Sequence, residues 1–364
     1  MYKGSLSKCV YLFVLVIFSS CVIGKLGKEN GHNSIVLYPP SPEKPRIQFL
    51  TKISTASDIA GHQSWFKTFI LGREKDMPII KPYGLSIFKD KIYICDKKIG
   101  GLEKIDLNKG KFEYFIPSGK GQLQMPLNCY VDTNGYLYVA DAGRSQVVIY
   151  DEMGNYKRCF GDTLNFKPTD VFVSDKNVWV ANMTGHKIDV YGKDSLNKWM
   201  YSFGQAEPGK IDYLYAPTNV YVKNNKVYVT DFGDFKIKIF SLDGKFLDTL
   251  GSYGTNPGQL AKPKGIAVDR DANIYVVDAA FENVQIFNSE GKLLLFFGGP
   301  YKGPGDMWLP SKVIIDYDNL KYFQKYVAPG LDLKYLVLVC NQFGPDKINV
   351  YGYVEPAKTG AKKK

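Results

Sequence analysis

Residues 263–298 have the sequence PKGIAVDRDANIYVVDAAFENVQIFNSEGKLLLFFG, and this stretch decides the fold. It contains four short runs rich in β-branched and aromatic residues, within 263–269, 273–278, 284–287 and 291–298. Such runs are typical of β-strands, and the Gly, Asp and Asn residues between them are typical of turns. The stretch therefore predicts one unit of four short strands.

The same unit recurs along the chain, and every copy opens with a proline: Pro82, Pro126, Pro168, Pro217, Pro263 and Pro310. Successive prolines are 44, 42, 49, 46 and 47 residues apart. A period in the forties with four strands per unit is the spacing of a propeller blade. One such unit buries a single face of its sheet, whereas six arranged radially bury both. The sequence thus predicts an all-β, six-bladed β-propeller with four-stranded blades.

The copies agree in phase, which makes the repeat specific. The second strand reads Ile-Tyr-Val-Val-Asp at 274–278 and Leu-Tyr-Val-Ala-Asp at 137–141, with degraded copies at 92–96 and 336–341. These phrases resemble the NHL repeat of bacterial six-bladed propeller lipoproteins, and the resemblance covers roughly residues 80–353. The predicted blades lie near residues 80–122, 123–164, 165–212, 213–260, 261–307 and 308–356, within a propeller of residues 46–356.

An open ring would leave a strand edge exposed. Residues 46–53 form a spare strand before the first copy, and we expect it to pair into the last blade and close the ring. Residues 61–72 carry Trp65, Phe66, Phe69 and Ile70 at helical spacing, which predicts either a short capping helix or a membrane contact. The last blade contains an insertion, Asn319–Tyr335, expected to project where the first strand meets the second.

The N-terminus has the pattern of an export signal. Lys3 and Lys8 precede an apolar run, so residues 1–20 are predicted to be a signal peptide. The segment Phe18-Ser19-Ser20-Cys21 resembles the bacterial lipobox, although Phe18 stands where leucine is usual, and this resemblance implies lipidation of Cys21. Ordinary cleavage after Gly24 is the competing interpretation. Residues 21–45 are rich in Gly, Asn, Lys and Pro and predict an extended tether.

Composition narrows the class of protein. The hydrophobic content of 45% excludes a disordered chain, and 26 Tyr, 22 Phe and 35 Gly suit an all-β protein. The net charge of +11 includes a basic tail at residues 357–364, and it indicates either a soluble basic surface or attraction to anionic lipid or an acidic partner. No nucleic-acid-binding motif is present, so no nucleic-acid partner is expected.

Every second strand ends in Asp or Asn: Asp96, Asp141, Asn182, Asp231, Asp278 and Asn341. Such residues make turns by accepting bonds from nearby backbone N–H groups, and this structural role is the preferred interpretation. The weaker alternative is a ring of carboxylates that holds a metal ion, in which the ligands would be Asp96, Asp141, Asp231 and Asp278.

The sequence offers little catalytic chemistry. The three histidines are His32, His62 and His186, and only the last lies in the repeats, so a multi-histidine zinc site is hard to assemble. The motifs HExxH and GxSxG and a phosphate-binding glycine loop are all absent. Cys95, Cys129, Cys159 and Cys340 are interpreted as buried free thiols, with disulfides left open. We expect no catalytic residues and no cofactor.

One face of the ring is predicted to bind a partner, because loops on that face vary freely on rigid strands. The loops after the second strands carry Lys97, Lys98, Arg144 and His186 in blades one to three, and Phe232, Phe235, Phe281 and Phe343 in blades four to six. One half of this rim is therefore predicted to be basic and the other half aromatic, with the partner docked across blades four to six and steered by the basic half. Between-blade loops add aromatic residues, including Tyr215 and Trp308. The sequence therefore predicts a non-catalytic lipoprotein scaffold of the bacterial cell envelope that binds a protein or glycan partner. The alternative is a metal-dependent propeller hydrolase or lyase, similar to lactonases or amidating lyases.

Overall fold

The computed structural model describes residues 35–60, 76–161, 164–194 and 198–357. Two N-terminal strands, β1 (Leu37–Tyr38) and β2 (Ile47–Ile53), precede a four-residue helix, α1 (Ser57–Ala60). Blade one then contains β3 (Pro82–Phe88), β4 (Lys91–Asp96), β5 (Gly101–Asp106) and β6 (Lys111–Phe115). Blade two follows a 3-10 turn at Gly119–Gly121 and contains β7 (Pro126–Val131), β8 (Leu137–Asp141), β9 (Gln146–Tyr150) and β10 (Tyr156–Gly161).

The remaining blades repeat this order. Blade three contains β11 (Pro168–Val173), β12 (Asn177–Asn182), β13 (Lys187–Gly192) and β14 (Trp199–Phe203). Blade four contains β15 (Pro217–Lys223), β16 (Lys226–Asp231), β17 (Lys236–Ser241) and β18 (Phe246–Leu250). Blade five contains β19 (Pro263–Val268), β20 (Ile274–Asp278), β21 (Asn283–Phe287) and β22 (Leu293–Gly298). Blade six contains β23 (Pro310–Asp316), β24 (Leu331–Asn341) and β25 (Ile348–Pro356).

The sheets form a closed ring. Neighbouring strands within each blade pair antiparallel in chain order. The first strand of each blade contacts the first strand of the next, from β3 through β7, β11, β15 and β19 to β23, and β23 contacts β3 again. The first strands therefore surround the ring axis. The fold is a six-bladed β-propeller. Its core consists of apolar clusters between adjacent sheets, such as Val139 and Val148 of blade two packed with Leu102 of blade one.

The N-terminal strand closes this ring, as predicted. Strand β2 pairs antiparallel with β25 and supplies the fourth strand of blade six. Ile47, Leu50 and Ile53 are buried on that strand. The closure therefore buries apolar surface and also gives the edge of β25 backbone hydrogen-bond partners.

The end of the predicted tether belongs to the propeller. Leu37 and Tyr38 form β1, which pairs with β2 as a fifth strand of blade six, and the Tyr38 hydroxyl donates to the carbonyl of Gly305 at 3.1 Å. Residues 35–45 are therefore not the free spacer that their proline content predicts, because the open edge of β2 offers backbone partners. The predicted signal peptide, Cys21 and the first part of the tether lie outside the described residues.

The insertion in blade six lies between β23 and β24, on the expected face, but it does not project as a loop. It contains α2 (Leu320–Phe323) and a 3-10 turn (Gln324–Tyr326), and Leu331–Tyr335 extend β24. Gln48 of the closing strand donates to the Tyr326 carbonyl at 2.8 Å and accepts from the Ala328 N–H at 3.0 Å. These bonds hold the insertion against the closing strand.

Three further predictions fall wholly or largely outside the described residues: the helix at 61–72, the basic tail beyond Ala357, and two of the three histidines. Within the part of the chain that is described, no helix has the length and apolar character needed to cross a membrane.

Candidate binding face and central channel

The loops after the second strands and the loops between blades lie at one end of the ring. The strand register shows this, because the opening proline of each first strand pairs with the last residue of the second strand, as Pro82 does with Asp96. We call this end the Asp face. The opposite end, which carries the turns between first and second strands, is the hairpin face.

The Asp residues that end the second strands fasten the loops of the Asp face. The Asp278 carboxylate accepts the N–H groups of Ala261 and Lys262 before its blade and those of Ala280 and Phe281 in the following turn. Asp141 accepts four backbone N–H groups in the same arrangement, Asp96 accepts three, and Asp231 accepts two. Asp96, Asp141 and Asp278 thus tie a between-blade loop to the following turn, and the turn bonds are the structural role preferred from the sequence. Asp231 holds only the between-blade loop.

The two Asn residues have related roles. Asn182 accepts from the N–H groups of Lys167 and Gly185, and Asn341 donates to the Asp346 carbonyl. Because these side chains bond to their own blades, they do not converge on one point. No group of three or more His, Cys, Asp or Glu side chains among the described residues has the arrangement of a metal site.

The polar side chain of Asp231 is also part of a buried ion-pair network. Lys238 is fully buried, and its ammonium lies 3.2 Å from Asp231 and 2.9 Å from Asp234. It donates to the Tyr213 carbonyl and lies 5.4 Å from the ring centroid of Tyr215. The network fixes the loop that carries these two tyrosines.

Aromatic residues occupy the Asp face from blade three to blade six. His186 stacks on Tyr213 with centroids 5.6 Å apart, Tyr213 packs edge-on against Tyr215, and Tyr301 stacks on Trp308. The exposed rings are Tyr215, Tyr253, Trp308 and Phe343. Trp308 and Phe343 leave 48% and 41% of their area exposed. We call this set of exposed rings the aromatic arc.

The phenylalanines predicted for the face are less accessible than expected. Phe232, Phe235 and Phe281 are half-buried. Phe235 has a positive φ of 56° and packs against Tyr253, with centroids 4.7 Å apart. The exposed residue beside it, Tyr253, is one that the sequence interpretation missed. Its position in a between-blade loop with Gly on both sides was the available signal.

The predicted basic side of the face is divided among different roles. Lys98 is exposed, but the Arg144 guanidinium donates to the carbonyls of Lys120 and Gln122 at 3.1 and 2.5 Å and so braces a between-blade loop. His186 joins the aromatic side, since its Nδ1 lies 2.8 Å from the Tyr215 carbonyl. The Lys97 ammonium lies over the ring of Tyr83, a residue at the start of β3, which lines the channel.

The central channel is blocked by an ion pair. The third residues of the first strands are Gly84, Asn128, Asp170, Asn219, Gly265 and Lys312. The Lys312 ammonium lies 2.7 Å from Asp170, and Asp170 also accepts from the Asn219 side chain at 2.9 Å and the Val220 N–H at 3.2 Å. All of these polar side chains are buried. The channel is therefore divided into an Asp-face mouth and a hairpin-face cavity.

The hairpin-face cavity has a volume of 320 Å³, and polar and apolar groups contribute about equally to its walls. Tyr130, Phe172 and Tyr221 of three successive blades line one side, with ring centroids 4.7 and 5.2 Å apart in turn. Ser86 and Lys312 supply polar groups on the other side. No catalytic constellation of the types sought from the sequence lies among these lining residues.

The four cysteines of the blades are free thiols. Cys95, Cys129 and Cys340 are buried, and burial raises the pKa of Cys340 to about 12. Cys159 is only half-buried, because it lies on an outermost strand, so the prediction of burial is wrong for this residue.

Comparison with known proteins agrees with this architecture. A family model described as a 6-bladed beta-propeller matches residues 212–294. No curated protein matches the chain.

Several solved structures share the fold at low sequence identity. A virginiamycin B lyase from Staphylococcus aureus, solved with quinupristin as an inactive variant, is 15% identical with a TM-score of 0.53, and the match covers 75% of this chain and 95% of that one. A gluconolactonase from Xanthomonas campestris is 14% identical with a TM-score of 0.52, covering 88% and 97%. A chain of the nidogen/laminin complex is 16% identical with a TM-score of 0.51, covering 62% and 82%. Enzymes and binding proteins thus both use this fold, and at such identities the likeness concerns the fold alone.

Proposed function

We propose that this chain is a non-catalytic binding module of the bacterial cell envelope, anchored through a lipid on Cys21, that binds a protein partner across blades four to six of the Asp face. The observation that carries the proposal is the aromatic arc. Four large rings, Tyr215, Tyr253, Trp308 and Phe343, are exposed on one face of the ring. Exposed aromatic residues grouped on one face are typical of interaction surfaces.

The scaffold beneath the arc supports this role. The loops that carry Tyr215 and Tyr253 are held by Asp231 and Asp278 through backbone hydrogen bonds, and the first of them also by the buried Lys238. Rings on fixed loops lose little conformational entropy on binding, which favours affinity. A protein partner fits best because the arc spans loops of several blades, whereas a single sugar ring needs one platform.

A double variant tests the arc directly. Trp308→Ala combined with Phe343→Ala should abolish capture of the partner from solubilised membranes, with the melting temperature nearly unchanged because both rings are exposed. Phe296→Ala is the matched control, since Phe296 is equally exposed but lies on the outermost strand β22. Retention of the same protein by the double variant would overturn the proposal, and competition by free glycans would instead identify a glycan ligand.

Variants of the half-buried Phe235 and Phe281 test whether the binding surface extends beyond the exposed rings to these side chains. Phe235→Ala with Phe281→Ala should also release the partner if these rings contact it. Unfolding of that variant would assign them to the packing of the loops.

The alternative function, a metal-dependent hydrolase or lyase, is distinguished by elemental analysis of the purified protein. Its candidate ligands, Asp96, Asp141, Asp231 and Asp278, already accept between two and four backbone N–H groups each. A metal bound at one per chain and lost in Asp231→Ala or Asp278→Ala would favour the enzyme.

A further inference from the structure

Lysine side chains from two blades meet over one tyrosine at the Asp-face mouth of the channel. Lys97, in the loop after β4, places its ammonium 4.1 Å from the ring centroid of Tyr83. Lys264, the second residue of β19, places its ammonium 5.4 Å from the same centroid. Blade six separates their blades, and beside it Lys81 lies 5.1 Å from the ring centroid of Phe343. The channel wall therefore brings cations together from blades five and one.

These cations have no acidic partners. Among the ion pairs of the described residues, none includes Lys81, Lys97 or Lys264. The Lys97 ammonium makes only a long hydrogen bond, to the Gln342 side chain at 3.4 Å. All three lysines are half-buried, so water compensates their charge less than on an open surface.

The acidic groups nearest to the cluster are already engaged. Asp96 is buried and accepts three backbone N–H groups. Asp170, below the mouth, is paired with Lys312. The thiol of Cys340 stays protonated at neutral pH because burial raises its pKa to about 12. The mouth consequently keeps an excess of positive charge.

The lowered pKa values of the lysines agree with this excess of positive charge. Burial, together with the charges of Lys97 and Lys262, lowers the pKa of Lys264 to about 8. Burial also lowers the pKa of Lys97, with a contribution from Lys81. A bound anion would relieve both the desolvation and the repulsion.

We propose that the Asp-face mouth of the channel, between blades five, six and one, binds a small oxyanion that carries two or more negative charges. Lys97 and Lys264 contact the anion directly, and Lys81 and Lys262 strengthen the local field. Charged hydrogen bonds from ammonium groups to phosphate or carboxylate oxygens supply the affinity. The site borders the aromatic arc at Phe343, but Lys97 and Lys264 are not part of the arc, so the proposal does not rest on the proposed partner.

Calorimetric titration of the purified full-length chain tests the site. The probes are inorganic phosphate and citrate, titrated separately at constant ionic strength, which distinguishes a phosphorylated ligand from a polycarboxylate. We expect at least one of them to bind at one per chain. Lys97→Met and Lys264→Met should each weaken that binding by about tenfold or more, since each removes a charged hydrogen bond. Lys98→Met is the matched control, because it removes the same charge from the same loop at an exposed position, and it should change the affinity by less than about twofold.

Thermal unfolding provides a second readout. Lys264→Met should raise the melting temperature of the ligand-free protein, because it removes a desolvated cation. It should also reduce the rise in melting temperature that the anion causes in the wild type, because binding is weaker. The proposal is overturned if neither probe binds stoichiometrically, or if Lys98→Met weakens binding as much as Lys264→Met does. Capture of a protein partner by the aromatic arc is measured separately with the Trp308→Ala and Phe343→Ala variant, so failure of one proposal leaves the other open to its own test.

Discussion

Lys312 and Asp170 form an ion pair across the central channel, with 2.7 Å between the Lys312 ammonium and the Asp170 carboxylate. They occupy the third position in the first strands of blades six and three, which lie opposite each other in a ring of six. Gly265 holds the same position in blade five, and a Cβ there would lie 2.6 Å from the Cα of Lys312. Glycine therefore permits the close approach of β23, and the pair links opposite sides of the propeller.

Breaking this pair should destabilise the fold. Lys312→Met leaves the buried Asp170 charge without a cation, although three uncharged hydrogen-bond donors remain. We therefore expect a loss of about 3 kcal/mol in the free energy of unfolding, at the lower end of the range for a broken buried ion pair. Denaturant titration measures it. Lys312→Met combined with Asp170→Asn should lose less than the single variant, because no charge then remains. Lys245→Met, at an exposed turn, is the control and should change stability by less than about 0.5 kcal/mol. Equal stability of Lys312→Met and the wild type would show that the pair contributes nothing.

Closure of the ring predicts a second result. Deletion of residues 46–53 should lower the melting temperature sharply, because it leaves the edge of β25 unpaired. Ile53→Ala tests the same strand with its backbone intact and should lose about 2–5 kcal/mol, since the side chain is buried. Thr51→Ala on the same strand should have a small effect. A deletion variant that melts at the wild-type temperature would contradict the closure.

Glu103 makes stability depend on pH. It is buried in blade one, and neither carboxylate oxygen has a hydrogen-bond partner within the described part of the chain. Burial, followed by the nearby charge of Asp96, raises its pKa from 4.5 to about 10. The folded state therefore holds a proton that the unfolded state releases, so this contribution to stability is complete below pH 4.5 and declines as the pH rises toward 10.

Glu103→Gln should remove this dependence. The variant should melt at least about 2 °C higher than the wild type at pH 8.5, and the difference should shrink toward pH 5. Thermal unfolding across that range measures it. Glu113→Gln, half-buried on the neighbouring strand β6, is the control. A constant difference between Glu103→Gln and the wild type at all pH values would refute the assignment.

Lipid attachment is tested in the native host. The wild-type chain should incorporate radiolabelled palmitate, and Cys21→Ala should abolish the label and release the protein from membranes, because several acyl chains are needed for durable anchoring. Cys159→Ala is the control for labelling elsewhere. Absence of label from the wild type would support ordinary cleavage after Gly24.

The loops of the Asp face show where sequence reasoning stopped. Their positions follow from the repeat, but the sequence interpretation treated Lys97, Arg144 and His186 as one basic surface. In the structure Arg144 braces a loop, His186 stacks on Tyr213, and Lys97 faces the channel. The repeat predicts where the backbone of a loop residue lies. The direction of its side chain depends on neighbours that are distant in sequence.

The sequence by itself determined the number of blades, the four strands in each and the strand that closes the ring, because these depend on a local pattern that recurs with one period. It also predicted the turn role of Asp96, Asp141 and Asp278, whose carboxylates accept N–H groups two residues further along the chain. The bond of Asp231 to the loop before its blade was not predicted. Only the tertiary structure decided that Lys312 meets Asp170 and that Lys97 and Lys264 share Tyr83. These contacts join residues of non-adjacent blades, which come together only after the ring has closed. The irregular register at the start of each first strand directs the side chains that line the channel.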